Sequence, residues 1–567
     1  MILSIIIGLA AGFVAVIIKN SVHFIRSFLH NWTNTDQQYY LYLAFPMIGV
    51  LLVILFIKYF IKQPVRHGIP NVLYRISKSN GRIKAHNMYS SIITSALTVG
   101  FGGSVGLEGP TVATSASIGS NIGRLFHMNY KQIILLLGCA CSAAMAAIFK
   151  APIAAIVFSL EVIMLDLTMA SLIPLLLASA SAVLTSYFFL GQDVLYPFDV
   201  EGTFQMANLP YYISLGIIAG LFSSYFTRIY VYIEKLFSKI KGDYKKLITG
   251  GLILGVLIFF IPSLYGEGYE TINSCLSGDY SYLFNNSLFY SYKDSLIVAI
   301  ILLFSLVLFK VVATSVTFGS GGVGGIFAPT LFIGSNLGLL TALVFKQIGF
   351  NNISTNNFAL MGMAGMLAGV LHAPLTGIFL IAEITGGYQL FIPLMITATF
   401  SYATVKIFET NSVYTIQLAR RKELITHDKD KAILSLLKID KLIETNFNTI
   451  EIDKTLGDLV KVISKSQRNI FPVIDENDIF MGVVFVNDIR NIIFKPELYD
   501  STYVRDMMFM PTGIVHPEDS MEDIAQKFHF TGNFNLPVIK DGKYLGFVSR
   551  AKVFSAYRRM LKHFSED

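Results

Sequence analysis

The segment Phe101–Gly123, FGGSVGLEGPTVATSASIGSNIG, sets one carboxylate, Glu108, between glycines inside a long apolar region. Pro110 follows, a residue suited to the first position of a helix because its missing N–H would find no partner there anyway. The glycines let the backbone turn N–H groups toward an anion, and the helix that follows adds the positive end of its dipole. An acid in such surroundings is costly to bury and is a candidate for function, with a helix N-cap carboxylate as the plainer alternative. Two more acids, Glu161 and Glu383, lie in apolar segments, each nine residues after the proline of an Ala-Pro pair: AAIFKAPIAAIVFSLEV at Ala146–Val162 and AGVLHAPLTGIFLIAEI at Ala368–Ile384.

The elements that position these acids are membrane helices. Of the 567 residues, 53% are hydrophobic and only 14% charged, and the mean hydropathy is +0.59; that is the composition of an integral membrane protein carrying a soluble part. Apolar runs extend from Met1 to about Arg420 and the remainder reads as soluble. Met1–Lys19 lacks a basic start and an obvious cleavage site, so it reads as a retained helix. Several runs are shorter than the 20 or so residues of a simple span, and they are separated by breaks: RHGIP at Arg66–Pro70, GLEGP at Gly106–Pro110, KAP at Lys150–Pro152, GGIFAP at Gly324–Pro329 and HAP at His372–Pro374. Irregular backbone at membrane depth survives only where it is buried or lines a cavity.

The net charge of +7 is a sidedness signal, not a nucleic-acid footprint. Ile61–Tyr89 holds Lys62, Arg66, Arg75, Lys78, Arg82 and Lys84 and no acid, and Arg228–Lys246 is mostly basic. Gly191–Pro210 and Gly266–Asp279 are acidic. Basic connections face the cytoplasm, so both termini are expected there. Cys139, Cys141 and Cys275 supply no disulfide framework and no metal set; they read as small core residues.

The breaks repeat. Ala151-Pro152 falls on Ala373-Pro374 and Glu161 on Glu383 without a gap; GP-T…IGSNIG ending at Gly123 matches AP-T…IGSNLG ending at Gly338 with a four-residue difference in spacing. RHGIPNV at Arg66–Val72 pairs with GEGYETI at Gly266–Ile272, the first in a basic connection and the second in an acidic one. The halves are therefore inverted relative to each other, the pattern of a transporter or channel with its site between repeats. Glu161 and Glu383, being mates, read as shared scaffold that satisfies backbone donors. Glu108 has no mate: aligning Pro110 with Pro329 places Phe327 opposite it.

This set, GLEGP, GGIFAP, the paired AP segments and VYTIQLAR at Val413–Arg420, resembles the CLC family of chloride channels and chloride/proton antiporters across residues 1–420. The resemblance implies Glu108 as gate and Tyr414 as hydroxyl donor. It implies Ile326 and Phe327 as backbone donors, and Gly68, Ile69, Gly106, Leu107 and Gly109 as further anion-lining positions. His67 stands where the family carries a serine and is counted with the anion-lining positions, either donating an N–H to the anion or turning away and leaving backbone donors to do the work, which leaves selectivity among chloride, nitrate and fluoride open. Val162 stands where the family's antiporters carry a second, proton-relaying glutamate. Valine carries no proton, so the expectation is a proton-uncoupled chloride channel; the alternative is a chloride/proton antiporter.

From Leu424 to Asp567 a second repeat appears: Asn469–Ile493 matches Phe534–Tyr557, each reading as strand, turn, strand ending after Gly482 or Gly546, then helix. It resembles a CBS domain pair, first repeat about 436–498 and second about 503–562. That resemblance implies an adenine nucleotide near Asp488, with Thr512 and Ser549 assisting, although Lys552 replaces the second acid. A ligand-free packing module, a solute symporter and a membrane-anchored nucleotide sensor are the other readings.

The expected architecture is thus an all-α polytopic membrane domain of two inverted-topology repeats with broken helices, residues 1–420, followed by a cytoplasmic α/β CBS pair, 424–567. No hydrolase, kinase or metal motif is present in the sequence, so an enzyme is not expected. The expected protein sits in the plasma or inner membrane, carries chloride, requires no cofactor and is, by the resemblance, a homodimer.

Overall fold

Apolar stretches punctuated by glycine and proline fold into helices of unequal length. The computed structural model describes the chain outside residues 33–40, 64, 66–67, 80, 164–168, 193–205, 286, 351–352, 421–433, 435–436, 438 and 566–567. It divides into two compact units, Met1–Leu424 and Ile425–Asp567.

In the first half of unit one the helices are α1 (Ile2–Trp32), α2 (Leu41–Phe56), α3 (Gly68–Lys78), α4 (Asn87–Gly100), α5 (Glu108–Leu125), α6 (Tyr130–Phe149), α7 (Pro152–Val162) and α8 (Met169–Leu190). The second half has α9 (Leu209–Lys239), α10 (Asp243–Phe260), α11 (Tyr269–Leu276), α12 (Leu296–Gly319), α13 (Phe327–Gln347), α14 (Thr355–Leu371), α15 (Pro374–Ile384), α16 (Phe391–Phe408) and the short α17 (Ile416–Arg420). Among the described residues, 8 helices are long and apolar enough to cross a membrane. The short α7 and α15 are the ones that begin at the Ala-Pro pairs.

The repeat seen in the sequence is a repeat of packing. α5 lies along α6 as α13 lies along α14. The shared IGSNxG motif lets the backbones close: a Cβ on Gly119 would stand 2.8 Å from the Leu136 carbonyl oxygen, and one on its mate Gly334 would stand 2.6 Å from that of Gly362. Small residues at such crossings are what helix packing in lipid relies on. α6 and α14 end in the same way, on the non-glycine left-handed residues Lys150 (φ 56°) and His372 (φ 57°). Proline then opens the next helix in both halves.

α5 begins at Glu108, so Pro110 is its third residue and not its first. The reason is that the earliest helical bond runs from the Thr111 N–H to the Leu107 carbonyl. The first turn's N–H groups have no intrahelical partner, so proline is tolerated anywhere within it.

In unit two, β1 (Ile443–Glu444), β2 (Ile450–Glu451), α18 (Leu456–Ser464), β3 (Ile470–Ile474), β4 (Phe480–Phe485), α19 (Met521–Thr531), β5 (Asn535–Lys540), β6 (Lys543–Ser549) and α20 (Arg550–Ser565) form two sheets of order β2-β3-β4 and β1-β6-β5. Each repeat has a strand pair with a register shift, at Val473/Ile474 and at Val538/Ile539. Gly482 and Gly546 stand where backbone passes close: a Cβ would lie 2.8 Å from the Phe509 oxygen or 2.5 Å from the Glu444 oxygen. The helix expected after Gly482 is absent, and residues 486–494 are turns; after Gly546 it is present as α20. Asn487, Asn491, the β-branched Ile489, Ile492 and Ile493, and Pro496 make the first segment a poor helix, whereas the second has Ala, Lys, Arg and Leu.

Candidate functional site

The two breaks that the sequence aligns meet in space. Gly106 and Gly325 exchange backbone hydrogen bonds, Gly106 N–H to Gly325 O at 2.8 Å and Gly325 N–H to Gly106 O at 2.7 Å. α5 and α13 therefore start from one shared bridge, and their N-terminal N–H groups surround the same spot. α3 joins them: a Cβ on Gly68, its first residue, would fall 2.6 Å from the Gly109 carbonyl. Converging N-termini present unpaired donors and positive dipole ends, the usual construction of an anion site without a full cation.

Glu108 lies in this cradle, wholly buried. The Tyr269 hydroxyl donates to its Oε1 at 2.7 Å. Oε2 has no hydrogen-bond partner and is pressed so close to Gly106 that any Cβ there would stand 2.1 Å from it. The carboxylate thus fills the space between the helix starts. Opposite it in the repeat, Phe327 packs against Phe149 and Phe158 at ring-centroid distances of 5.1 and 6.2 Å. Leu107, Ile326 and Ile69 are buried beside the breaks. The Tyr414 ring is 4% exposed and its hydroxyl has no partner, an unusual state for a buried phenol. His67 lies outside the described residues. Val162 ends α7, buried.

Glu161 and Glu383 do other work. Glu161 accepts from the Leu375 and Thr376 N–H groups at 3.2 and 2.8 Å and from the Thr376 hydroxyl at 2.7 Å. Glu383 accepts from the Ile153 and Ala154 N–H groups at 3.1 and 2.7 Å. Each acid caps the first turn of the other half's Ala-Pro helix, the symmetric structural task that their pairing implied.

Sequence reasoning missed Tyr269, Glu267, Arg26 and Lys310. Arg26 approaches Glu267 at 3.5 Å. Lys310, fully buried, donates to the Gly266 carbonyl at 2.9 Å and sits 4.4 Å from the Phe332 ring centre. The signals were there: a lysine inside the apolar run Leu296–Val316, and an acid and a phenol in the GEGYETI mate of RHGIPNV. Beside the second break is a cavity of about 600 Å³, lined by Lys58, Lys62 and Lys246 with one acid, Asp243, and by Gly321 and Val323.

In unit two, Asp488 and Thr512 are exposed. The Ser549 hydroxyl donates to Glu444 at 2.7 Å, and Arg468 pairs with the same carboxylate at 2.9 Å. Among the described residues, no hydrogen bond joins Asp488, Thr512 and Ser549 to one another.

Helix N-termini that converge between inverted repeats are a construction suited to an anion transporter, and the voltage gated chloride channel family matches residues 49–406, with CBS domains at 439–495 and 504–559. The chain belongs to this family, also called CLC; it is a CLC-type anion transport protein of the membrane with a CBS pair. A putative chloride channel protein, ClcB-like, of Ralstonia nicotianae is 31% identical over 67% of this chain and 86% of its own length. An H(+)/Cl(-) exchange transporter, ClcA, of Vibrio cholerae is 27% identical over 74% of this chain and 88% of its own. In fold, a slow cyanobacterial Cl-/H+ antiporter superposes with a TM-score of 0.63 at 23% identity, over 74% of this chain and 97% of that one.

Proposed function

We propose that residues 1–420 carry chloride across the bilayer in exchange for protons, with Glu108 as the gate. The observation that carries this is the Glu108 carboxylate lodged, one oxygen unpaired, where the helix N-termini converge. Ionised, it competes with chloride for the same donors; protonated, it loses that attraction and swings away. A group that alternates between the anion's seat and a protonated, displaced state moves a proton as part of the anion's cycle. Exchange rather than passive flow is supported by the relative named as an exchanger, and it replaces the channel expected from Val162. Helix ends and the Tyr414 hydroxyl hold the anion without a full opposite charge, so it can also leave. In this reading the basic connections and both termini are cytoplasmic and the unit works as a homodimer.

One observation favours the second reading, a channel: Val162 is buried and apolar, so the inner proton would have to reach Glu108 through water. Purified protein in liposomes with a chloride gradient and no proton gradient separates the two. Exchange drives protons uphill and displaces the reversal potential from the chloride value; a channel does neither. Glu108→Gln should give chloride flux that no longer depends on external pH, and retained pH dependence would remove Glu108 from the gate.

A further inference from the structure

Glu267 is an acid that the proposed mechanism leaves unused. It is 5% exposed, and its Oε1 has no hydrogen-bond partner. It belongs to the segment that holds the gate: Gly266 N–H bonds the Gly102 carbonyl at 3.0 Å, and Tyr269, two residues on, donates to Glu108. The segment is moulded to this place. Gly266 (φ 67°) would press a Cβ to 2.8 Å from the Arg26 guanidinium, and Gly268 (φ 86°) would press one to 2.3 Å from the Phe332 ring.

The charged surroundings of Glu267 come from several elements. α1 supplies Arg26, in the 3.5 Å ion pair and 37% exposed at its side chain, and Lys19, whose ammonium also bonds the Ile148 carbonyl at 2.8 Å. α12 supplies Lys310. The break before α5 supplies the Leu107 N–H, which faces the carboxylate, and Glu108, whose charge interacts with that of Glu267. On its own segment are Tyr265, Tyr269 and the exposed Glu270. Two carboxylates therefore share the start of α5 among three cations.

We propose that Glu267 is a second acid of the gate, a positioning residue whose negative charge drives Glu108 out of the anion seat. Like charges near one helix end repel, so an ionised Glu267 favours the protonated, displaced form of Glu108. Arg26, partly exposed, opposes this by neutralising Glu267. The inference rests on the gate assigned to Glu108 above.

The test is chloride flux from liposomes against external pH. Glu267→Gln should move half-maximal flux to lower external pH by about threefold or more in proton concentration. Glu267→Asp should keep the native profile, and Arg26→Gln, at a partly exposed site, should move it the opposite way. The double variant Glu108→Gln/Glu267→Gln should match Glu108→Gln alone, because Glu267 acts through Glu108. An unshifted profile in Glu267→Gln, with Glu108→Gln already pH-independent, overturns this inference and leaves the gate standing. A double variant that differs from Glu108→Gln overturns it too, since Glu267 would then touch the anion or the fold. If Glu267→Gln does not fold, Arg26→Gln decides: an unshifted or acid-shifted profile rejects the proposal. Retained pH dependence in Glu108→Gln rejects both readings.

Discussion

The two halves of the membrane unit are built alike and differ where an anion would sit. Both break at a glycine, Gly106 or Gly325, and the glycines bond each other across the repeat axis. Both carry an acid that caps the other half's helix, Glu161 or Glu383. Yet two residues past the shared bridge one half has Glu108, held by Tyr269, and the other has Phe327, held by aromatic rings. Symmetric residues therefore hold the frame, and the asymmetric ones are the candidates for the chemistry. Inverted repeats make this distinction testable residue by residue, because each position has its own internal control.

The sharpest break in the comparison is at the bridge itself. Alanine at Gly325 would place its Cβ 2.8 Å from the Gly109 backbone nitrogen, which cannot move independently of α5. Gly325→Ala should yield little monodisperse protein by size-exclusion chromatography. Alanine at Gly106 meets first the movable Glu108 carboxylate, at 2.1 Å. Gly106→Ala should therefore fold more often and conduct at pH values where the native gate is shut. Equal loss of folded protein in both would deny that Glu108 is the softer neighbour.

Next are the paired caps. Removing a carboxylate that accepts several hydrogen bonds leaves partly buried donors at a helix start unsatisfied and costs about 1–3 kcal/mol. Glu161→Ala and Glu383→Ala should lower thermal stability by similar amounts, Glu161 slightly more because the Thr376 hydroxyl also bonds it. A loss confined to one of the two would make the other a functional acid.

Tyr269→Phe deletes the hydrogen bond that seats ionised Glu108, a bond to a charged group worth about 1.5–3 kcal/mol. Half-maximal flux should move about one unit toward higher external pH, opposite to Glu267→Gln, with the fold unchanged. Tyr414→Phe is milder. Its hydroxyl has no protein partner, so the fold loses nothing, and chloride affinity by calorimetry should fall by about 1 kcal/mol. Unchanged affinity would remove Tyr414 from the path.

The smallest effect lies in the CBS pair, whose repeats also diverge. Glu444 is held below the usual carboxylate range: burial acts against this, and the Ser549 hydroxyl and Arg468 outweigh it. Its folded-state affinity for a proton is lower than in the unfolded chain, so its stabilising contribution is complete at neutral pH. That contribution is lost as pH falls below the ordinary carboxyl value of about 4.5. Hydrogen exchange of β1 and β6 in the whole protein should quicken on acidification, and Ser549→Ala should weaken that pH response. Asp488→Ala is the companion probe of the first repeat: loss of adenine-nucleotide binding would support the site inferred there, and no binding by the native chain would leave a packing module.

The sequence by itself determined the membrane class, the two inverted repeats, the positions of the breaks and the odd status of Glu108. Those are properties of hydropathy, of glycine and proline, and of self-similarity, all of them local or periodic. It also determined that Glu161 and Glu383 share one task, but not which donors they serve. Those donors lie more than 200 residues away, and only the antiparallel meeting of α7 with α15 brings them together. Tyr269 reaches Glu108 across 161 positions for the same reason, and Lys310 and Arg26 come to Glu267 from two further helices. The turns at 486–494, where the repeat predicted a helix, show the converse limit. Self-similarity aligned the segments, but Asn487, Asn491 and Pro496 opposed helix formation. Which atoms meet at the converging helix starts was decided by tertiary structure, because hydrogen bonding acts over a few ångströms and the chain supplies those atoms from both of its halves.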